Sequence, residues 1–305
     1  DKEGKPLHAF SARDVPKQLD GIFVFSLIWS VGATTDTEGR GRFSDFLRKL
    51  LEQAVDRKVE RTDFDLGPGL EIIDPGFKLS LLPPKEGSVY DYMWDKGKAN
   101  WRHWMETAHV GEIPESLSFN EIIVTTIDTV RYTYLLNLLA THGRHVLFTG
   151  PTGTGKTVYI KAAIEGLDKG HYQNIQTAFS AQTNANMVQD IIDNKLDKRR
   201  KGVYGPPFGM RCVIFVDDLN MPALEVYGAQ PPVELLRQFL DHGGWYDRSD
   251  NTFRHLADIQ LIAAMGPPGG GRNNVTPRFL RHFNLISITV FNDAATTEIY
   301  TAIMD

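Results

Sequence analysis

A single cysteine, Cys212, in 305 residues excludes an internal disulfide and any metal site built from several thiolates. Such usage fits a reducing intracellular compartment. The nine histidines show no paired ligand spacing. Neither sign of charge dominates: 33 Lys and Arg stand against 38 Asp and Glu, a net charge of −5. That balance offers no overall attraction to a phosphate backbone or an anionic membrane, so neither nucleic acid nor membrane is the expected partner. The longest apolar run, Ile22 to Val31 (IFVFSLIWSV), is about half of what a bilayer crossing needs and predicts a buried helix. Asp1 rather than Met comes first, and no signal peptide is recognisable there. Internal repeats and low-complexity tracts are lacking as well. What is present is ordinary: 42% hydrophobic and 23% charged residues, 27 Gly and 16 Pro. Disorder and collagen-like repeats are excluded, and at about 100 to 200 residues per domain the length allows roughly two domains.

Residues 1 to 61 read as helical. Phe43, Phe46, Leu47, Leu50, Leu51, Ala54 and Val55 fall on one face, with Asp45, Arg48, Lys49, Glu52 and Gln53 facing away. Gly32 to Arg42 (GATTDTEGRGR) has the composition of a solvated connection. Between Arg61 and Gly111 come Pro68, Pro75, Pro83 and Pro84, then the aromatics Tyr90, Tyr92, Trp94, Trp101 and Trp104, a pattern for short strands and turns. The aromatic cluster fits either a ligand site or, more simply, anchoring of a linker onto a neighbour.

From Ile113 onward strands and helices alternate. Strands are expected at 145–149, 174–180, 212–216, 258–264 and 283–290, and helices over 158–167 and 232–241. Met187, Val188, Ile191, Ile192 and Leu196 form a further helix face. This alternation predicts a mostly parallel sheet covered on both sides. The basic run LDKRRKG (196–202) reads as a solvated helix C-terminus, with phosphate binding or nuclear import as the alternative.

Residues 150 to 157 read GPTGTGKT. Four fixed positions would arise in roughly one chain in a hundred of this length, so the surroundings decide. An apolar strand runs into Gly150 and a helix leaves from Lys156, as phosphate binding requires. In such a loop Gly150, Pro151, Thr152, Gly153, Thr154, Gly155 and the helix start through Val158 turn successive backbone amides toward phosphate oxygens. Lys156 supplies charge to the β- and γ-phosphates and Thr157 a hydroxyl for Mg²⁺. A second element, CVIFVDDLN (212–220), is an apolar strand delivering two carboxylates at its C-terminal end. Asp217 suits Mg²⁺, held through water, and Asp218 the orientation of an attacking water. A third, VTPRFLRHF (275–283), carries Arg278 and Arg281. These fit an arginine finger reaching a nucleotide on an adjacent module or, equally, two surface ion pairs.

Together with IIVTTIDTVR (122–131), VDDLNMP (216–222) and YGAQPPVELLRQFLDHGGWYD (227–247), these motifs resemble the third AAA+ module of a dynein heavy chain, with wording closest to the axonemal class. The resemblance implies an α/β P-loop AAA+ core with a mostly parallel five-stranded sheet, preceded by a helical lid segment and a linker. The implied division is 1–61 for the end of the preceding module, 62–112 for the linker, 113–291 for the ATP-binding domain and 292–305 for the start of a following small domain. Ile123, Val124 and Thr126 would line the adenine pocket, and ATP or ADP with Mg²⁺ would be the ligands. Arg281 would be the finger, with Arg278 second. The implied partners are neighbouring AAA+ modules of the same chain and, through other parts of it, further dynein subunits and microtubules. The implied place is the cytoskeleton of the axoneme, in a cilium or flagellum.

Two positions depart from the family pattern. Asp218 stands where active sites of this kind usually carry Glu, one methylene longer; a displacement of about 1 Å can cost on the order of a hundredfold in rate. The polar residue expected at the end of the fourth strand aligns with Gly266, which has no side chain to offer, and Asn273 and Asn274 come later. Regulation by bound ATP with slow or conditional hydrolysis is the leading expectation. A structural module with permanently bound nucleotide and an independent remodelling ATPase are the alternatives.

Overall fold

The structure is a computed structural model that describes residues 14–56, 79, 81–108, 123–291 and 293–304. The proline-rich stretch through Pro68 and Pro75, the start of the alternating pattern at Ile113, and the side chains of Ala54 and Val55 lie outside the described residues. The chain divides into two compact units, Asp1–Val110 and Gly111–Asp305.

In the first unit, helices α1 (Asp14–Ser30) and α2 (Thr37–Asp56) share a core with the antiparallel pair β1 (Tyr92–Asp95) and β2 (Asn100–His103). Trp94 packs edge-on against Trp101 at 5.4 Å, and its indole N–H donates to Gln18 Oε1 at 2.9 Å. The aromatic cluster is therefore core, its rings turned onto each other and onto the helices.

Three expectations change here. Only one stripe of the apolar run is buried: Val24 and Ile28 are fully covered, whereas Ile22, Phe23 and Val31 face outward. The supposed connection Gly32 to Arg42 is largely helix, because Asp36 caps α2 by accepting from the Gly39 amide at 2.8 Å. Arg40 there is buried, its guanidinium 4.8 Å from the Tyr90 ring centroid. On α2 the expected single face splits: Leu47 and Leu51 are buried, while Phe46 and Leu50 are exposed.

The second unit is built on a five-stranded parallel sheet in the order β11 (Asn284–Ser287), β3 (Val146–Thr149), β10 (Ile259–Met265), β7 (Arg211–Asp217), β4 (Tyr172–Ala178). Its central strands are almost wholly buried, as a sheet covered on both faces demands. The helices are α3 (Ile127–Thr141), α4 (Lys156–Glu165), α5 (Ala185–Asp193), α6 (Pro231–His242), α7 (Pro277–Leu280) and α8 (Asp293–Met304). The expected strands and helices are found, shifted by a few residues at their ends.

A second sheet, not foreseen, joins β5 (Asp197–Arg200), β6 (Val203–Gly205), β9 (Phe253–Leu256) and β8 (Gly244–Tyr246). It absorbs the basic run, which is an edge strand and turn and not a helix end. Arg199 in that strand is tied to Asp258 and donates to the Pro206 carbonyl at 2.8 Å. On α5 the expected face also divides, since Val188 and Ile192 are buried and Met187 and Ile191 exposed, and Leu196 lies beyond the helix.

Candidate nucleotide site

The C-terminal ends of β3, β7 and β10 bring the chemistry together, as open parallel sheets do. After β3 the chain turns through Gly150 to Gly155 and enters α4 at Lys156. Gly155 is left-handed, with φ 75°, and a Cβ there would lie 2.8 Å from the Tyr159 ring, so conformation and space both demand glycine. A cavity of about 250 Å³ opens beside the turn, lined by Thr152 to Val158, Asp217, Asp218, Gly266 and Arg272.

Within it the Lys156 ammonium donates to the carbonyls of Gly150 at 2.8 Å and Pro151 at 2.5 Å. Burial holds its pKa below the ordinary lysine value, the nearby Arg272 charge adds to that, and Asp217 and Asp218 oppose it. The Thr157 hydroxyl donates to Asp217 Oδ2 at 2.7 Å, so an alcohol and a carboxylate oxygen converge at the loop. That donor set suits a hard, oxygen-seeking cation such as Mg²⁺.

Asp218 follows with φ 50°, a left-handed conformation that Asp tolerates better than Glu. Its carboxylate is half exposed and accepts from Arg272 at 3.3 Å.

Not every expected residue joins this cluster. Ile123 is exposed and Val124 half-buried on the segment leading into α3, and neither lines the cavity beside the loop. Thr126 is buried as the N-cap of α3, exchanging hydrogen bonds with Thr129, so its hydroxyl is committed to the helix start. Arg281 is bound on its own domain: its guanidinium donates to Asp241 Oδ1 at 2.6 Å. Asp241 also accepts from Arg237, and with Arg281 foremost these contacts hold its carboxyl at about 2. Arg278 is exposed on α7 and, among the described residues, makes no ion pair. Cys212 is plain core, its thiol pushed up to about 12 by burial.

The residue that sequence reasoning missed is Arg272. Its only signal was membership of the glycine-rich stretch after β10, and nothing local ties it to Asp218, 54 positions earlier.

The sheet order and this cluster agree with the comparisons to known proteins. The family described as P-loop containing dynein motor region matches residues 111–291, and the dynein heavy chain AAA lid domain matches residues 1–106. The chain belongs to the dynein heavy chain family. Rat dynein axonemal heavy chain 12 is 50% identical over 285 residues, covering 92% of this chain and 9% of the relative. Human dynein axonemal heavy chain 1 is 45% identical over 304 residues, covering 94% and 7%. Mouse dynein axonemal heavy chain 3 is 42% identical over 308 residues, covering 100% and 7%. This dynein segment thus spans less than a tenth of the length of the curated relatives it matches. It contains an α/β P-loop AAA fold preceded by a lid segment, and the phosphate loop of that fold implies nucleotide binding. Among the described residues no helix is long and apolar enough to cross a membrane.

Proposed function

We propose that this segment is the third AAA+ module of an axonemal dynein heavy chain, preceded by the end of the second. In this reading it binds ATP and hydrolyses it slowly or conditionally, so that its nucleotide state regulates a minus-end-directed microtubule motor in the axoneme. The observation that carries the reading is the convergence of the Lys156 ammonium, the Thr157 hydroxyl and the Asp217 carboxylate on one cavity at the ends of β3 and β7.

Backbone amides of Gly153 to Thr157 and the start of α4 hold the phosphates, and Lys156 moves from its loop carbonyls onto the β- and γ-oxygens. Thr157 would hold Mg²⁺ directly and Asp217 would hold it through water, and the ion would supply screening of the phosphate charge. Asp218 orients the hydrolytic water. Ile123, Val124 and Thr126 form the segment nearest the base. Arg281, with Arg278 second, faces the neighbouring module's nucleotide; leaving Asp241 is the cost of that reach for Arg281, and Arg278 bears no such cost.

Labelled ATP tests the regulatory reading. A chain loaded with labelled nucleotide and chased with unlabelled ATP is expected to release the label, with conversion to ADP slower than release. Label that stays bound through the chase would favour the permanently loaded structural module.

A further inference from the structure

The end of β10 has an unusual construction. Gly266 follows the strand, and a Cβ placed on it would fall 2.6 Å from Arg272 Nε and 2.7 Å from Arg272 Cδ. The arm of Arg272 therefore runs through the space that any other residue at 266 would fill, and it arrives in the cavity beside Lys156, Thr157 and Asp218.

The loop is fixed so as to deliver it. Asn220, 1% exposed, donates through Nδ2 to the Gly266 carbonyl at 2.9 Å and to the Asn273 carbonyl at 3.2 Å, and the Asn273 amide returns a bond to the Asn220 carbonyl at 2.9 Å. Gly269 and Arg272 exchange backbone bonds at 3.0 and 3.1 Å. Both ends of the loop are thus tied to the segment that carries Asp218.

The guanidinium itself is under-used. Among the described residues its Nε is buried without an acceptor, and its one ion pair, to Asp218, is long at 3.3 Å to a carboxylate 44% exposed. A buried donor on a charged group costs free energy until an anion satisfies it. Arg272 also lines the same cavity as Thr152 to Val158 of the phosphate loop, so phosphates held by that loop share the cavity with its guanidinium.

We propose that Arg272 contacts the terminal phosphate of a nucleoside triphosphate and thereby sets the preference of this site for a tri- over a diphosphate. The proposal rests on the nucleotide-binding reading above and adds to it the group that distinguishes the two nucleotides. A planar guanidinium with several donors suits this task, because it can serve two phosphate oxygens with its Nε–H among the donors. Gly266 is then the residue that makes room for it.

The test is calorimetric titration of this chain with Mg·ADP and with a Mg-bound ATP analogue whose β–γ bridge is nitrogen. Arg272→Gln is expected to weaken the analogue by roughly 10- to 100-fold, the worth of a charge-assisted bond, and ADP by less than about threefold. Gly266→Ala supplies a second arm, since the atoms nearest its new methyl all belong to the flexible Arg272 side chain, which is expected to give way and carry the guanidinium with it. It is expected to shift the ratio in the same direction even if Arg272→Gln folds poorly. Equal losses for both nucleotides, or an unchanged ratio in both variants, would overturn the assignment of Arg272 while leaving nucleotide binding intact. A parent chain that binds neither nucleotide would remove the nucleotide reading itself, and Arg272 with it.

Discussion

Lys156→Ala is expected to reduce ATP affinity by at least about a hundredfold, to the point where calorimetry registers no binding. The ammonium is the one cation on the loop itself and reaches the Gly150 and Pro151 carbonyls, the rim over which phosphates would lie. Losing a charge-assisted contact to phosphate costs roughly 1.5 to 3 kcal/mol per bond, and this side chain can serve two phosphates. The substitution leaves the fold alone, because the side chain fills no part of the core. Affinity should also fall as the solution becomes alkaline, beginning below the pH at which an ordinary lysine loses its proton, since burial and Arg272 depress the pKa. Unchanged affinity in Lys156→Ala would remove the phosphate-loop assignment.

Asp218 governs the second large effect. In the intact heavy chain, Asp218→Asn is expected to leave nucleotide binding in place and to lower turnover at this site by about 10- to 100-fold, as expected for loss of a group that orients the attacking water. Asn adopts the left-handed backbone at φ 50° without difficulty, so the change isolates the charge. Asp218→Glu restores the missing methylene and should raise turnover. The gain is offset in part because Glu fits that backbone less well, at a cost of roughly 1 kcal/mol. Single-turnover hydrolysis measures all three versions, and equal rates would mean that Asp218 has no part in water activation.

The parts of the fold that were legible in the sequence are those whose signal is local. β7 is a run of buried β-branched and apolar residues ending in two acids, and the phosphate loop is a glycine pattern between a strand and a helix. Both can be read in a window of ten residues. The second sheet could not, because its strands are three or four residues long and β5 is entirely polar (DKRR), with no apolar alternation to reveal it. The outward face of α1 was hidden for a different reason: an apolar run shows that burial is favourable but not which side meets a partner.

The site divides along the same line. Lys156, Thr157 and Asp217 were recognisable because each sits in a motif whose spacing reflects its chemistry. Arg272 was not, because its place depends on the absence of a side chain at Gly266 and on Asn220 holding the loop from another strand end. Thr126, expected beside the adenine, also has a local structural task that its motif does not reveal, as the N-cap of α3.

Hydrogen exchange of the loop amides is the most direct measurement of whether this turn is an anion cradle. With Mg·ATP added to the chain, the amides of Gly153 to Thr157 are expected to exchange markedly more slowly, since each would donate to a phosphate oxygen, while the edge strand β5 stays unchanged. Exchange at 153–157 that is the same with and without saturating Mg·ATP would contradict the account at its foundation.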